Sequence, residues 1–187
     1  MIGKTIAELQ AGDRAEITRV VGDADIAGFV GAVGDYNPVH SDPAYAAATI
    51  FKTPIAPGIF TAGLISAVIG TTLPGPGAIY LSQTLKFVKP VRAGDAITAR
   101  VEVVEVIRER NRIRLQTVCV NQHGEEVLGG EAWVMPSKTS VVYEERQRAL
   151  YSAAAWPLQP WAWAAQAMAA WSSLGLAMLG AAPRRAV

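Results

Sequence analysis

The sequence predicts an α+β fold, in which an antiparallel sheet packs against one long apolar helix and partly wraps it. The first observation is the segment 58–70, which is apolar on nearly all sides, as in a buried helix. The second is the change to strand-like patterns after it, at residues 78–88, 96–106, 112–120 and 127–135. The third is the presence of turn-forming sequences at 108–111 and 121–124, which suit consecutive antiparallel strands.

Two shorter helices are predicted before the apolar helix. Asp42 followed by Pro43 is typical of a helix start, because Asp caps the first turn and Pro is tolerated there. We expect this helix to continue through residues 45–48. Asp23 or Asp25 is positioned to cap an earlier helix through residues 26–30, whose apolar positions recur at helical spacing.

Length and composition indicate one domain with an appendage. A chain of 187 residues is long enough for one core but short for two ordinary domains. We place the domain at 1–138 and a C-terminal extension at 139–187, because the chain becomes first charged and then rich in Ala and Trp. Lys and Arg number 17 against 16 Asp and Glu, so no basic field indicates a nucleic-acid partner.

Two further features indicate the environment of the domain. Glu8 interrupts the N-terminal segment where a secretory signal needs an unbroken apolar run, so the domain is predicted to be cytoplasmic. The single cysteine, Cys119, lies in an alternating stretch and is expected to be a small buried apolar residue.

Asp35 and His40 are the residues with the clearest catalytic potential. They are five positions apart, in a loop that Asn37-Pro38 should keep from becoming helical, because the residue before proline favours extended geometry. A carboxylate and an imidazole that converge on one water supply an acid and a base near neutral pH, as addition of water to a polarised double bond requires. Taken alone, the two residues also fit a purely structural role, with Asp35 capping a turn and His40 packing.

A longer pattern surrounds this pair. It contains Phe29, then Gly34-Asp35-x-Asn37-Pro38-Val39-His40-x-Asp42, then Ala46 or Ala47, and later Phe51. This pattern resembles the hydratase signature of the MaoC-like (R)-specific enoyl-CoA hydratases. The segments 54–59 and 75–95 resemble that family's entry to its central helix and its following strands, so the resemblance covers roughly residues 8–136.

The resemblance implies a hot-dog fold, an antiparallel sheet wrapped around one long helix, and a homodimer. It implies that Asp35 and His40 activate water for addition to trans-2-enoyl-CoA, giving (R)-3-hydroxyacyl-CoA. The backbone N–H of Gly58 would then bond the thioester oxygen, and a helix N-terminus suits the developing negative charge. Many relatives have His-Gly where this chain has Pro57-Gly58, so one side chain flanking that site is missing.

Asn37 and Ser66 are candidate substrate-binding residues. By resemblance, the Ser66 hydroxyl reaches the active site; alternatively it bonds the carbonyl of residue 62 within the helix. Asn37 is expected to contact substrate or to shape the loop. His123 lies in an apparent hairpin turn and is not expected to be catalytic.

No cofactor site is expected. The sequence has no paired-cysteine motif, no His-Glu-x-x-His helix and no Gly-rich phosphate loop, so neither a metal nor a nucleotide cofactor is indicated, and coenzyme A enters only as part of the substrate. Lys86, Lys89 and Arg92 lie on or beside one strand, where they would meet coenzyme A phosphates or form a solvated strand edge.

The C-terminal extension has an unusual composition. Residues 156–183 contain no charge, and four of the five tryptophans follow residue 150. An amphipathic helix at 158–180 is expected, with Gln159, Gln166 and Ser173 on one narrow polar stripe. Three interpretations stay open: docking on a lipid or polyester-granule surface with Trp anchors, packing on a partner subunit, and a partly disordered extension.

The leading functional hypothesis is hydration of short or medium enoyl-CoA esters, in the service of polyhydroxyalkanoate synthesis or fatty-acid metabolism. The alternatives are a hot-dog acyl-CoA thioesterase, which would direct water to the carbonyl carbon, and a non-catalytic acyl-CoA-binding or scaffold protein. The Asp-x-Asn-Pro-x-His pattern favours hydration.

Overall fold

The computed structural model describes residues 1–144 of the chain. Its elements are β1 (Ile2–Gly3), β2 (Arg14–Val20), α1 (Asp23–Val33), α2 (Pro43–Ala48), α3 (Gly58–Thr71), β3 (Ile79–Gln83), β4 (Lys86–Phe87), β5 (Ala96–Ile107), β6 (Arg112–Val120), β7 (Glu126–Met135) and β8 (Val141–Val142). Single 3-10 turns lie at Ile6–Glu8, Pro38–His40 and Arg108–Arg110.

Six strands form one antiparallel sheet, ordered β2-β5-β6-β7-β3, with β4 also paired to β7. The two predicted turns join β5 to β6 and β6 to β7. Asn111 and Gly124 take the positive φ angles of 49° and 75° that reverse the chain there. β1 and β8 pair separately, in a two-stranded ladder.

The sheet has an inner face, which packs on α3, and an outer face. Along β6 the two faces alternate, so that Ile113, Leu115 and Cys119 are buried in the core with Ile65 and Val68 of α3. Arg112, Arg114 and Gln116 lie on the outer face. One long helix against an antiparallel sheet confirms the predicted α+β hot-dog arrangement.

The sheet covers only one side of α3. Leu64, Ile65, Val68 and Ile69 are buried, whereas Ile59 is 57% exposed. The predicted burial of this helix is confirmed for the side that faces the sheet, and no element among residues 1–144 covers the opposite side.

The strand predictions were incomplete at both edges of the sheet. β2 was not predicted, and the predicted strand 78–88 is divided into β3 and β4. The division lies opposite Gly130 of β7, where an added Cβ would be 1.8 Å from the carbonyl oxygen of Thr84. Without a side chain at Gly130, the backbone of Thr84 approaches β7 closely and leaves the regular ladder.

The helix predictions were correct for α2 and only partly correct for α1. The Asp42 side chain caps α2 by accepting from the N–H groups of Ala44 and Tyr45, at 2.9 and 3.0 Å. Helix α1 is longer than predicted and its capping residue is Gly22, not Asp23 or Asp25. The Asp25 carboxylate still stabilises that end, because it accepts from the Gly22 N–H at 3.0 Å.

The predicted division into 1–138 and 139–187 stays a prediction. β8 lies beyond residue 138 and pairs with β1, next to the N-terminus. The Trp-rich segment, with its predicted helix at 158–180, lies outside the described residues. Within residues 1–144, no helix is both long and apolar enough to cross a membrane.

Candidate active site

The loop between α1 and α2 places Asp35 and His40 together. Gly34 ends α1 in the left-handed conformation, with φ 76° and its N–H donated to Val30 O at 2.8 Å. This geometry suits glycine and turns the chain sharply out of the helix before Asp35. Phe29 of α1 packs edge-on against Phe60 of α3, with ring centroids 5.9 Å apart, which fixes the loop relative to the central helix.

Asn37 shapes the second half of this loop. Its backbone is extended, with ψ 121°, as expected before proline, and its side chain accepts from the Val39 N–H at 3.3 Å. The expectation of a wholly non-helical loop is wrong for Pro38–His40, which forms one 3-10 turn. Proline fits the first position of such a turn, and this turn carries the His40 ring inward.

The two side chains form a close pair. His40 Nε2 lies 3.5 Å from Asp35 Oδ2, and the side chains are 9% and 44% exposed, respectively. At this distance the contact is electrostatic, and a direct hydrogen bond would need a shorter approach. A partly exposed carboxylate beside a nearly buried imidazole leaves space at the mouth of the pair for water.

The backbone of Ile55 orients the His40 ring. His40 Nδ1 lies 2.8 Å from Ile55 O. Because a carbonyl oxygen only accepts, Nδ1 is the donor, and in the neutral ring Nε2 is left as the basic nitrogen. The Ile55 N–H donates in turn to Val39 O at 3.2 Å. Ile55 therefore both accepts from and donates to the turn that contains Val39 and His40.

Gly58 is the first residue of α3, directly after the capping residue Pro57. Pro57 has no side-chain group to cap the helix, and no acidic residue lies in the first turn. The Gly58 N–H has no intrahelical acceptor, and no acceptor for it occurs among residues 1–144. The positive end of the helix is therefore open to a ligand, and the missing histidine does not change this backbone donor.

A cavity of about 420 Å³ adjoins Gly58; its walls include Phe51, Ile55, Thr61, Phe87 and Val91. An added Cβ on Gly58 would lie 2.6 Å from the Phe87 ring. Glycine is therefore needed here because Phe87 occupies the place of a side chain. We call this space the Gly58 cavity.

A second cavity of about 420 Å³ adjoins His40; its walls include Ile26, Val30, Tyr36 and Pro54. No residue lines both this cavity and the Gly58 cavity. Consecutive residues line the two cavities: Pro54 lines the cavity beside His40, and Ile55 lines the Gly58 cavity. The structure thus joins Asp35 to His40 directly, and it connects Gly58 to them through the backbone of Ile55.

The other candidates do not line either of these cavities. Ser66 is exposed on α3, and its hydroxyl makes no hydrogen bond within residues 1–144, so the alternative bond to residue 62 is not formed. Asn37 and Ser66 line none of the cavities beside His40 and Gly58. His123 lies in the exposed hairpin turn, as predicted.

The three basic residues near the Gly58 cavity differ in their contacts. Lys89 lines the cavity and forms an ion pair with Glu125. Arg92 donates to Thr53 Oγ1 and Phe51 O, at 2.8 and 3.0 Å, and so holds the segment that leads to α3. Lys86 is exposed and has no ion-pair partner among the described residues. Arg92 is therefore primarily a support for the backbone at the site.

The structure also adds groups that the sequence did not indicate. The Ile55 carbonyl is a backbone acceptor, so residue type gives no signal for it. Phe87 lies in the segment 75–95 that resembles the family, but its place beside Gly58 could be seen only in the structure. Within residues 1–144, no group of three or more His, Cys, Asp or Glu side chains is placed to hold a metal ion.

The fold and this site define a hot-dog domain with an Asp–His pair and an open helix N-terminus. Comparison with known proteins gives the family. Residues 6–125 match the model of the MaoC-like domain. The chain belongs to the MaoC-like family and, within it, to the (R)-specific enoyl-CoA hydratases.

Three relatives show how far the similarity extends. The 3-hydroxybutyryl-CoA dehydratase of Methylorubrum extorquens is 49% identical over 131 residues, 70% of this chain and 83% of that protein. The unliganded R-hydratase structure from Pseudomonas aeruginosa superposes with a TM-score of 0.73 at 45% identity, over 76% of this chain and 92% of that chain.

The third is the (R)-specific enoyl-CoA hydratase of Aeromonas caviae, which is 41% identical over 126 residues, 67% of this chain and 94% of that protein. Its structure, described as that of a hydratase involved in polyhydroxyalkanoate biosynthesis, has a TM-score of 0.66 and covers 68% of this chain and 96% of that chain.

Proposed function

We propose that this protein adds water reversibly to trans-2-enoyl-CoA and forms (R)-3-hydroxyacyl-CoA. The observation that carries the proposal is the Asp35–His40 pair, with Nε2 and Oδ2 3.5 Å apart, connected through Ile55 to the open N-terminus of α3. Acid–base groups at one point and a hydrogen-bond donor for the carbonyl at another are the two requirements of this reaction.

We propose roles for the two residues of the pair, and the orientation of His40 supports them. Since Nδ1 donates to Ile55 O, Nε2 is the nitrogen available to accept a proton from water. The water oxygen then bonds to C3 of the enoyl group, and the C2–C3 π electrons move toward the thioester as an enolate. Asp35 orients the water and stabilises the imidazolium. Nε2 returns the proton to C2 on the same face, so that one water supplies both added groups.

Gly58 acts on the other end of the conjugated system. Its N–H bonds the thioester oxygen, where negative charge accumulates in the enolate. The helix dipole adds to this stabilisation, since no acidic residue in the first turn opposes it. Substitution of one such donor costs on the order of 100-fold or more in rate.

We propose that the reaction needs no cofactor and that coenzyme A enters only as part of the substrate. The observation behind this is that an acid–base pair and a backbone donor already meet both requirements of hydration. Dialysis of purified protein against a chelator should leave the rate unchanged; loss of activity restored by a metal would refute this proposal.

One assay tests hydration against the alternative functions. Purified protein is incubated with crotonyl-CoA while the absorbance of the conjugated thioester and the free thiol are both followed. Hydration removes the absorbance without releasing thiol. Thiol release would indicate a thioesterase, and tight binding with neither signal would indicate a scaffold; either result overturns the proposal.

We propose that two copies form a homodimer across the exposed side of α3. Ile59, Gly63, Ser66 and Gly70 share this side, and Phe87, which is 52% exposed, continues it. Small residues there permit close approach of a second chain. Ser66 would then face substrate in a cleft closed by the partner, and Asn37 would contact it at the loop.

The mass of the protein in solution tests this surface. Ile59→Glu should convert a dimer to a monomer, because a carboxylate would be buried without a partner. The control is Ile50→Glu, since Ile50 is 87% exposed and lies before the helix. A monomeric wild type, or an Ile59→Glu variant of unchanged mass, would contradict the proposal.

We also propose that the enzyme works in the cytoplasm and that the Trp-rich extension docks it on a lipid or polyester-granule surface. Support comes from the uncharged segment 156–183 with its tryptophans, and from the involvement of the Aeromonas caviae relative in polyhydroxyalkanoate biosynthesis. Removal of residues 145–187 should abolish co-sedimentation with granules while hydratase activity is retained. Unchanged co-sedimentation would exclude docking.

A further inference from the structure

We propose that a cavity on the outer face of the sheet binds a planar aromatic phosphate, of the class of the adenine nucleotides. The cavity has a volume of about 360 Å³ and is lined by Leu81, Ser82, Ile107, Arg110, Arg112 and Trp133. A volume above about 300 Å³ is typical of small-molecule sites. We call it the Arg-Trp cavity.

The arginines carry the argument for an anion. Residues 1–144 contain eight arginines. Six of them bond to carboxylates or backbone and hydroxyl oxygens: Arg14, Arg19, Arg92, Arg100, Arg108 and Arg114. Arg110 and Arg112 have no such partner within the described residues, and both line this cavity. Two guanidinium groups without carboxylates at one cavity are suited to a phosphate.

No carboxylate of the described chain competes for these two groups at the cavity wall. The nearby outer-face acids, Glu105 and Glu131, bind Arg114 at 3.0 and 2.8 Å. Arg114 thus binds these two acids, and Glu109, the chain neighbour of Arg110, does not line the cavity.

Trp133 carries the argument for an aromatic ring. It is half-buried in β7, opposite Ser82 of β3, and both residues line the cavity. Within residues 1–144 neither another ring nor a guanidinium stacks on it. An indole face free of partners stacks well on a nucleobase, and the Ser82 hydroxyl adds a polar contact at the same wall.

The Arg-Trp cavity is separate from the candidate active site. Leu128 lines the Gly58 cavity, and Trp133 is five residues further along β7. The pairing of β7 with β6 is regular between them, so an odd separation puts the two side chains on opposite faces of the sheet. Five residues of strand also separate them by about 17 Å. The Arg-Trp cavity is therefore a second site, on the opposite face of the sheet from the Gly58 cavity.

Calorimetric titration of the full-length protein with ADP tests the proposal. ADP should bind, and Arg110→Gln and Arg112→Gln should each weaken binding about tenfold, the scale of a lost charged hydrogen bond. The control is Arg100→Gln on the same face, whose side chain is paired with Glu16; it should leave ADP binding unchanged. Inorganic phosphate should bind more weakly than ADP, because it cannot stack on Trp133.

The same variants separate this site from the active site. The KM for crotonyl-CoA should be unchanged in both arginine variants, since neither residue lines the active-site cavities. No ADP binding by the wild type, or full binding by the double arginine variant, would overturn the proposal. A KM that rises in step with the loss of ADP binding would also overturn it, because the cavity would then hold the nucleotide end of the substrate.

Discussion

The two ends of α3 differ in how their backbone groups are satisfied. At the N-terminal end, the Gly58 N–H has no acceptor within residues 1–144 and adjoins a cavity of about 420 Å³. At the C-terminal end, Val68 O accepts from Thr72 and Leu73, at 2.9 and 3.0 Å, and Ile69 O accepts from Gly75 at 2.9 Å. The N-terminus of the chain covers this end.

Because of this difference, one end of α3 can bind substrate while the other end stabilises the fold. Unpaired backbone donors at an accessible helix end are available to a substrate, whereas paired acceptors under a covering strand hold the fold together. Substitutions at the first end should therefore lower the rate with little effect on stability. Substitutions at the second should do the reverse.

The largest effect is expected at the Asp35–His40 pair. Asp35→Asn and His40→Gln should each lower kcat for crotonyl-CoA hydration at least about 100-fold, because each removes an acid–base group while retaining the side-chain shape. The thermal unfolding midpoint should change little. The control is His123→Gln, in an exposed turn, which should retain the full rate. Near-normal rates in Asp35→Asn and His40→Gln would show that neither side chain acts in catalysis.

The next effect is expected at the closed end. Gly75 has φ 92°, and an added Cβ would lie 2.6 Å from Ile2 O. Gly75→Ala should therefore lower the free energy of unfolding by about 1–3 kcal/mol, the cost of a strained backbone position, while kcat per folded molecule is retained. Denaturant unfolding measures the first quantity and crotonyl-CoA turnover the second.

Gly28→Ala is the matched control, because an added Cβ at this exposed position of α1 meets nothing within 4 Å. Its free energy of unfolding should stay the same or rise slightly, since alanine favours helix. An equal loss in both variants would mean that close packing at Gly75 contributes nothing.

The smallest effect is expected in the core beneath α3. Burial raises the pKa of the Cys119 thiol to about 12, whereas the unfolded thiol ionises near its ordinary value. The folded state therefore keeps a proton that the unfolded state loses, and stability falls as pH rises above about 8.5. This contribution should reach about 1 kcal/mol between pH 8 and pH 9.5.

Cys119→Ala should have a shallower decline of unfolding free energy over the same range. Burial, and to a smaller extent the charge of Cys119, also raises the pKa of Tyr80 to about 12, so the difference between the two slopes reports the thiol together with its effect on Tyr80. Identical slopes would contradict the assignment.

The sequence predicted those features that depend on residue type at fixed spacing. Asp35, His40 and the Asp42 cap are local, and the apolar run of α3 is continuous, so each could be found without knowing what lies opposite. β2 also has a local signal, because Arg14, Glu16 and Thr18 alternate with Ala15 and Ile17, but the alternation is short and was missed. The break at Thr84 depends on Gly130 in another strand, and the His40 contact depends on a backbone carbonyl, so neither has a local signal.

The Gly58 amide tests the central claim most directly. Gly58→Pro removes this N–H at a helix position that tolerates proline, and Pro57 already has the extended ψ of 135° favoured before a proline. Gly58→Ala is its matched control, since it also adds a Cβ beside Phe87 but retains the N–H.

The measurement is kcat for crotonyl-CoA hydration by these two variants, with thermal unfolding to show that both are folded. The proline variant should be about 100-fold slower than the alanine variant, the scale of one lost oxyanion donor. Equal rates would show that the open end of α3 does not stabilise the enolate.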